Sequence, residues 1–156
     1  HIVQFDRENY KAPNLVKLLE DTEVKKVFHF ARKDTEMILW ALGVLVNNVE
    51  CTKIQSRLAR GYSSQHSYKT LVQEFCGISI SKAKQASDFG KKNLDSKQLE
   101  YSANDVLHIL KIHEELNKIL VREKRMELYK ESLKFLKVRV ELDIAGYEKT
   151  DIWSHE

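Results

Sequence analysis

Val27-Phe28-His29-Phe30-Ala31-Arg32-Lys33-Asp34 passes from strand to helix inside a single short run. Val24 to Phe30 reads as a strand, because valine and phenylalanine favour a pleated surface. A helix follows at once. Asp34 opens it, Met37, Ile38, Ala41 and Leu42 form its apolar stripe, and Gly43 is placed to end it in the left-handed conformation. Asp34 therefore lies at a strand-to-helix junction, where an aspartate serves either as an ordinary N-cap or as a catalytic carboxylate.

Upstream of this junction, Ile2 to Phe5 reads as a short apolar strand, and Ala12-Pro13-Asn14 as the start of a helix that buries Leu15, Leu18 and Leu19. Downstream, Val44 to Val49 is a further strand interrupted by Asn47-Asn48. Thr52 caps a helix bearing Ile54, Leu58 and Ala59 that stops at Gly61. Ser67 begins another with Leu71, Val72 and Phe75 inward, stopped by Gly77, and its Tyr68 and Cys76 read as core residues. No period is sustained from Ile78 to Leu94, a loop of the length that compact domains keep for function or leave disordered. Residues 81 to 97 carry a net charge of +3, equal to that of the whole chain. Phosphate contact and a merely solvated loop both account for that charge.

Asp95 and Gln98 then have the spacing of a capping box, which starts the next helix. Leu99, Ala103, Val106 and Leu110 run along its expected buried face, and Tyr101, Asp105 and His108 occupy a neighbouring one. Tyr101 and Asp105, four residues apart, point into the same space about 6 Å apart along the axis, room for a metal-bound water. A tyrosine beside a solvated aspartate is the plainer alternative. Helical periodicity is expected to continue through Leu116, Leu120 and Leu128 towards Leu136, with Lys118, Arg122, Lys124 and Arg125 as a solvated basic side. Lys137 to Leu142 alternates like a strand, and Ile144 to Trp153 is a short apolar tail.

With 156 residues, 42% hydrophobic and 31% charged, the chain fits one folding unit with a real core and is not a disordered protein. No apolar run approaches membrane-spanning length. Cys51 and Cys76 are too few for a disulfide framework or a zinc site, which points to a reducing, cytoplasmic compartment. His1 is not an initiator methionine, so the chain is expected to begin mid-fold, with any targeting segment out of view.

Strands and helices alternate early and helices dominate later, which argues an α/β domain with a helical C-terminal half. On the run Val27 to Asp34, the loop Ser87-Asp88-Phe89 and the segment Leu94 to Asp105, the chain resembles ribonuclease D and its relatives, the DEDDy group of ribonuclease H-like exonucleases. It is most similar to the short bacterial members that lack an appended helical nucleic-acid-binding domain. The likeness covers residues 1–120, leaving 121–156 as a C-terminal helix and tail packed on the same domain.

The resemblance implies a ribonuclease H-like 3′-5′ exonuclease fold without its N-terminal strands. It implies a metal-dependent 3′-5′ exoribonuclease that releases mononucleotides from single-stranded RNA 3′ ends. Asp34 and Asp105 would be the carboxylates of the second and third motifs, helping to hold two divalent ions, Mg2+ or Mn2+. Tyr101 would orient or help deprotonate the attacking water. His29, Lys82, Gln85, Lys91 and Lys92 match positions beside the substrate.

Departures from the family pattern are Lys33 where an apolar aromatic is usual, Phe89 where tryptophan is usual, and Cys51 before Thr52 where an aspartate is often seen. The larger one is the first motif, an Asp-x-Glu strand supplying two of four carboxylates. Asp6-Arg7-Glu8 imitates it. Only 28 residues separate Asp6 from Asp34, however, and one helix and one strand fill them, leaving no room for the two additional strands the family places there. Asp6 and Glu8 are therefore left unassigned, and the motif is expected to come from upstream or from another chain. The alternative function is a nucleic-acid-binding module or structural partner without chemistry of its own. A homo-oligomer, and RNA against DNA as substrate, are left open.

Overall fold

The computed structural model describes residues 1–5, 9–80 and 87–155. β1 (Lys26–Phe28) and β2 (Val49–Cys51) pair in parallel, Lys26 opposite Val49 and Phe28 opposite Cys51, and α2 (Ala31–Leu42) crosses between them. A parallel pair requires such a crossover, since a tight turn would return the chain antiparallel. α1 (Pro13–Glu20) precedes the unit, and α3 (Thr52–Ala59) leaves β2 with no residue between.

The sheet among the described residues is smaller than expected. Ile2 to Phe5 forms no ladder, and Ile2, Val3 and Phe5 stay exposed. Residues 44–48 form no strand before β2, because Val44 and Val46 find their burial against Leu19 of α1 rather than on a pleated surface. Thr52 is the first residue of α3, not its cap; Cys51 takes that place.

The helical half comprises α4 (Tyr68–Cys76), α5 (Ser96–Asn104), α6 (Ile109–Arg122) and α7 (Met126–Leu142). Leu71, Val72, Ile112, Leu116, Leu120 and Tyr129 form a core between α4, α6, α7 and the Ala59 end of α3. Each such side chain contributes about 1.5–3 kcal/mol on burial. A second cluster of Ala31, Cys51, Leu136 and Val140 fastens α7 to both strand-to-helix junctions.

Three expectations fail here for identifiable reasons. Lys137 to Leu142 is helical, because the 3.6-residue spacing of Tyr129, Leu136 and Val140 on the core outweighs a short local alternation. The single long helix expected from Gln98 towards Leu136 is three, interrupted by a turn at 105–108 and again at Lys124, whose φ of 56° no helix accepts. Finally, Leu99, Val106 and Leu110 are 43%, 60% and 61% exposed, whereas Gln98 is buried. α5 is held by a polar side chain, not by the apolar stripe. Beyond α7, Asp143–Tyr147 makes a wide helical turn whose buried Asp143 carboxylate binds both Arg32 and Arg139. No helix among the described residues is long and apolar enough to cross a membrane.

Candidate active site

Both parallel strands end on the same edge, so the starts of α2 and α3 face one space; the carboxyl ends of parallel strands are where α/β folds bind ligands. Phe30, between β1 and α2, is the N-cap residue and adopts a left-handed φ of 70°. For a residue with a Cβ this costs about 1–2 kcal/mol. The Lys53 ammonium sits over the Phe30 ring, 4.3 Å from its centre, and the Ala31 N–H donates to Cys51 Sγ, which together hold the kink. Asp34 lies inside the first turn of α2 and is therefore not the N-cap that its residue type permitted.

Thr52 and His29 complete this wall. The buried Thr52 hydroxyl donates to the Phe28 carbonyl at 3.2 Å and lies 2.9 Å from His29 Nδ1. The His29 ring packs on Tyr68, 5.6 Å between centres. Burial, with Lys53 adding to it, pushes the imidazole down to about 4. His29 is thus neutral at physiological pH, with one ring nitrogen engaged in the wall.

The opposite wall is α5. Its capping box forms in full: Asp95 accepts from the Gln98 N–H and Gln98 Oε1 accepts from the Asp95 N–H. The Gln98 amide also donates to Ser87 Oγ at 3.1 Å and to the Asp88 carbonyl at 2.9 Å, so one side chain ties the 87–88 segment to the helix. Tyr101 packs on Phe89, 5.9 Å between ring centres. α5 ends at Asn104, yet the Asp105 N–H still reaches the Tyr101 carbonyl at 3.2 Å, and the two side chains keep a common face. The Tyr101 hydroxyl is near enough to the Asp105 carboxylate for each to influence the other's titration. Tyr68 pins the turn that follows, its hydroxyl accepting from the His108 N–H at 3.3 Å.

These walls enclose a cleft of about 480 Å³ that brings together Asp34, Tyr101, Asp105 and His29, with Tyr68 and Lys53 beside them. Asp34 is open to water but surrounded by protein on the cleft floor, and desolvation pushes its carboxyl up to about 6. Burial raises Asp105 as well, opposed by the neighbouring Tyr101 hydroxyl. The Tyr101 phenol is raised by burial and by the neighbouring Asp105 charge, so it carries its proton at neutral pH.

Lys91 and Lys92 do not line the cleft, and the Lys91 ammonium pairs with Asp95 at 3.3 Å. Lys82 and Gln85 lie outside the described residues, as do Asp6 and Glu8. Sequence reasoning missed Lys53, Lys69 and Tyr68, all of which line the cleft. The signal was the second strand-to-helix junction at Cys51-Thr52, which repeats the one at Phe30-Ala31 and aims its first turn at the same space.

Two carboxylates on a concave floor are hard oxygen donors of the kind Mg2+ and Mn2+ take. Their raised pKa values mark negative charge that the protein leaves poorly compensated, and a cation would compensate it. No group of three or more His, Cys, Asp or Glu able to hold a metal occurs among the described residues. Asp34 and Asp105 thus fit as part of a metal site that needs further donors.

Comparison with known proteins bears on the family and the fold. The sequence pattern of the 3′-5′ exonuclease family matches residues 1–121. Ribonuclease D of Gluconacetobacter diazotrophicus is 37% identical over 110 residues, 70% of this chain and 28% of that protein. Brucella melitensis NrnC with bound Mg2+ superposes with a TM-score of 0.88 at 40% identity, covering 94% of this chain and 71% of that one. The same protein bound to pGG gives 0.89 at 41% identity, covering 95% and 72%. Escherichia coli RNase D, at 23% identity, shares the fold, with a TM-score of 0.76 over 82% of this chain and 34% of its own. This chain spans about a third of the length of the curated relatives it matches.

Proposed function

The chain belongs to the 3′-5′ exonuclease family, and we propose that it forms the core of a metal-dependent exoribonuclease that releases mononucleotides from single-stranded RNA 3′ ends. The observation that carries this reading is the meeting of Asp34, Tyr101 and Asp105 in one cleft. Asp34 and Asp105 would hold Mg2+ or Mn2+, as a pair of ions. Bound there, the metal supplies Lewis-acid polarisation of the scissile phosphate. The Mg2+-bound and pGG-bound forms of Brucella melitensis NrnC support both halves of the proposal.

The chain's own groups then have separate tasks. Tyr101 keeps its proton and orients the attacking water through its hydroxyl, rather than acting as a phenolate base. Asp34, titrating near 6, is ionised at neutral pH and strengthens its hold on a cation as pH rises through that value. His29 braces the cleft wall and, being neutral, does not compete for phosphate as a cation. Residues 1–120 make up the exonuclease unit in this reading, and 121–156 pack against it through α7. An Asp-x-Glu strand, from the same or another polypeptide, completes the carboxylate set, and the protein works in the cytoplasm.

The test is mononucleotide release from a 3′-labelled RNA with Mg2+, with and without chelator. Residues 1–156 supplied with an Asp-x-Glu strand digest the RNA in a chelator-sensitive manner, and Asp34→Asn or Asp105→Asn each removes that activity. Digestion that survives the chelator and both substitutions would sink the reading. Robust digestion by residues 1–156 alone, abolished by Asp6→Asn, would place the first motif at Asp6-Arg7-Glu8.

A further inference from the structure

Next to the cleft lies a second concavity of about 480 Å³, walled by Arg32, Lys53, Arg57 and Arg139 with Phe30 and Phe135. No carboxylate appears among the described residues that line it. Phe30 and Lys53 belong to both hollows, so the two are joined across a single ridge.

The charges differ in availability. Arg32 and Arg139 both bind the one buried Asp143 carboxylate, with Glu36 and Glu148 also near Arg32, so these two guanidinium groups are largely compensated. Lys53 lies over the Phe30 ring at 4.3 Å. Arg57 projects from the same face of α3 one turn further on, is exposed, and has no ion pair or hydrogen bond among the described residues. The aromatic rings complete the chemistry: Phe30 and Phe135 are 37% and 41% exposed, and Phe135 is backed edge-on by Trp153 at 5.1 Å. Cations beside partly exposed rings are what a nucleotide presents itself to, phosphate to the first and base to the second.

We propose that this hollow is a subsite for an upstream nucleotide of the same single-stranded RNA whose 3′ end occupies the cleft, with Arg57 and Lys53 contacting its phosphate and Phe30 and Phe135 its base. The inference rests on the exonuclease reading. It adds to it a length preference, because a strand must cross the Phe30–Lys53 ridge to reach Arg57.

Fluorescence anisotropy in the presence of chelator tests this without hydrolysis, using a labelled oligouridylate and a labelled diuridylate too short to cross the ridge. The wild-type chain binds the longer RNA more tightly. Arg57→Ala weakens that binding by roughly fivefold and flattens its salt slope by about 0.7, the loss of one phosphate contact on a single strand. Diuridylate binding is unchanged, and Arg57→Lys restores most of the loss. Arg57 is exposed, so these variants fold. Equal binding of the two RNAs by the wild type, no effect of Arg57→Ala, or an equal effect on both RNAs would each overturn the subsite. So would competition by free uridine monophosphate that Arg57→Ala abolishes, since the hollow would then hold a free mononucleotide. RNA hydrolysis that persists beside any of these outcomes leaves the exonuclease reading standing. Absence of RNA binding and hydrolysis together removes both.

Discussion

On one wall of the cleft, Asp34 is carried by a parallel strand pair, its crossover helix and the buried Thr52; on the other, Asp105 sits just past a short helix tied down by Gln98 and Tyr68. The first placement follows from backbone topology: moving Asp34 means breaking the ladder or pulling α2 off the core that holds Ala31 and Cys51. The second depends on a few side-chain bonds beneath a helix whose one leucine, Leu99, faces outward, as does Val106 just past its end. Elements with little buried apolar contact open at lower free energy than the core. The wall bearing Tyr101 and Asp105 is therefore the adjustable half of the site.

The largest effect is expected from chemistry on that adjustable wall. Tyr101→Phe keeps the ring contact with Phe89 and removes the hydroxyl beside Asp105. Turnover of a protein competent for hydrolysis falls by roughly 10²–10⁴-fold, the span of a positioned proton-bearing group. The melting temperature moves little, because the ring and its packing remain. Unchanged turnover would return Tyr101 to an ordinary side chain.

A matched pair of substitutions then probes the walls themselves. Gln98→Ala removes the bonds to Ser87 and Asp88 and half of the capping box, and costs about 2 kcal/mol. Thr52→Val removes the hydroxyl beneath His29 while the ladder above it stays intact. At temperatures where both variants are folded, Gln98→Ala lowers kcat more, because it frees Tyr101 and Asp105 together. Equal losses of kcat in the two variants would show that both walls depend on side chains to the same degree.

The same contrast explains how far the residues disclosed the structure in advance. The junction at Val27 to Asp34 was readable because β-formers, an apolar helical stripe and Gly43 all agree locally, and Gly43 does cap α2 at a φ of 69°. The capping box was readable for the same reason. The burial of α5 was not: Leu99, Ala103, Val106 and Leu110 have helical spacing, but a periodic apolar face says nothing of which way a helix ends up turned when polar bonds through Gln98 decide it. Tyr68 entered the cleft through long-range packing of α4, with no local pattern to announce it, whereas Lys53 follows from the strand-to-helix junction at Cys51-Thr52. Asp34, Tyr101 and Asp105 were legible as residues. That they meet was implied by the family resemblance, and the geometry brings them together.

Protonation offers a finer comparison of the walls in the metal-free protein. Asp34 has a folded pKa of about 6, above the ordinary carboxylate value, so the folded state prefers the protonated acid. Its contribution to stability is present in full below about pH 4 and is lost as pH rises through about 6. Asp34→Asn therefore stabilises the metal-free chain above that range, on the order of 1 kcal/mol after allowance for solvent in the cleft, and changes little at low pH. Asp105→Asn gains less, because the Tyr101 hydroxyl already stabilises that carboxylate and opposes the effect of burial. Thermal melts of both variants across this pH range, with chelator present, check the order. A larger gain from Asp105→Asn would mean that its wall is the more desolvated.

The smallest effect belongs to the basic segment leading into the adjustable wall. Lys92 is exposed, whereas Lys91 pairs with Asp95, the residue that caps α5. A lysine already facing a carboxylate releases fewer counterions when it meets a phosphate, because part of its charge is neutralised beforehand. If both contact the RNA backbone outside the cleft, Lys92→Ala flattens the salt slope of oligouridylate binding by about 0.7 and Lys91→Ala by visibly less. Lys91→Ala has a second, structural consequence: Asp95 keeps its bond from the Gln98 N–H and loses an exposed ion pair whose removal costs at most about 1 kcal/mol. Binding isotherms at several salt concentrations separate the two lysines, and a melt of each variant separates charge from capping. Identical slopes for wild type and Lys92→Ala would make the segment a solvated connection, leaving phosphate contact to the two hollows.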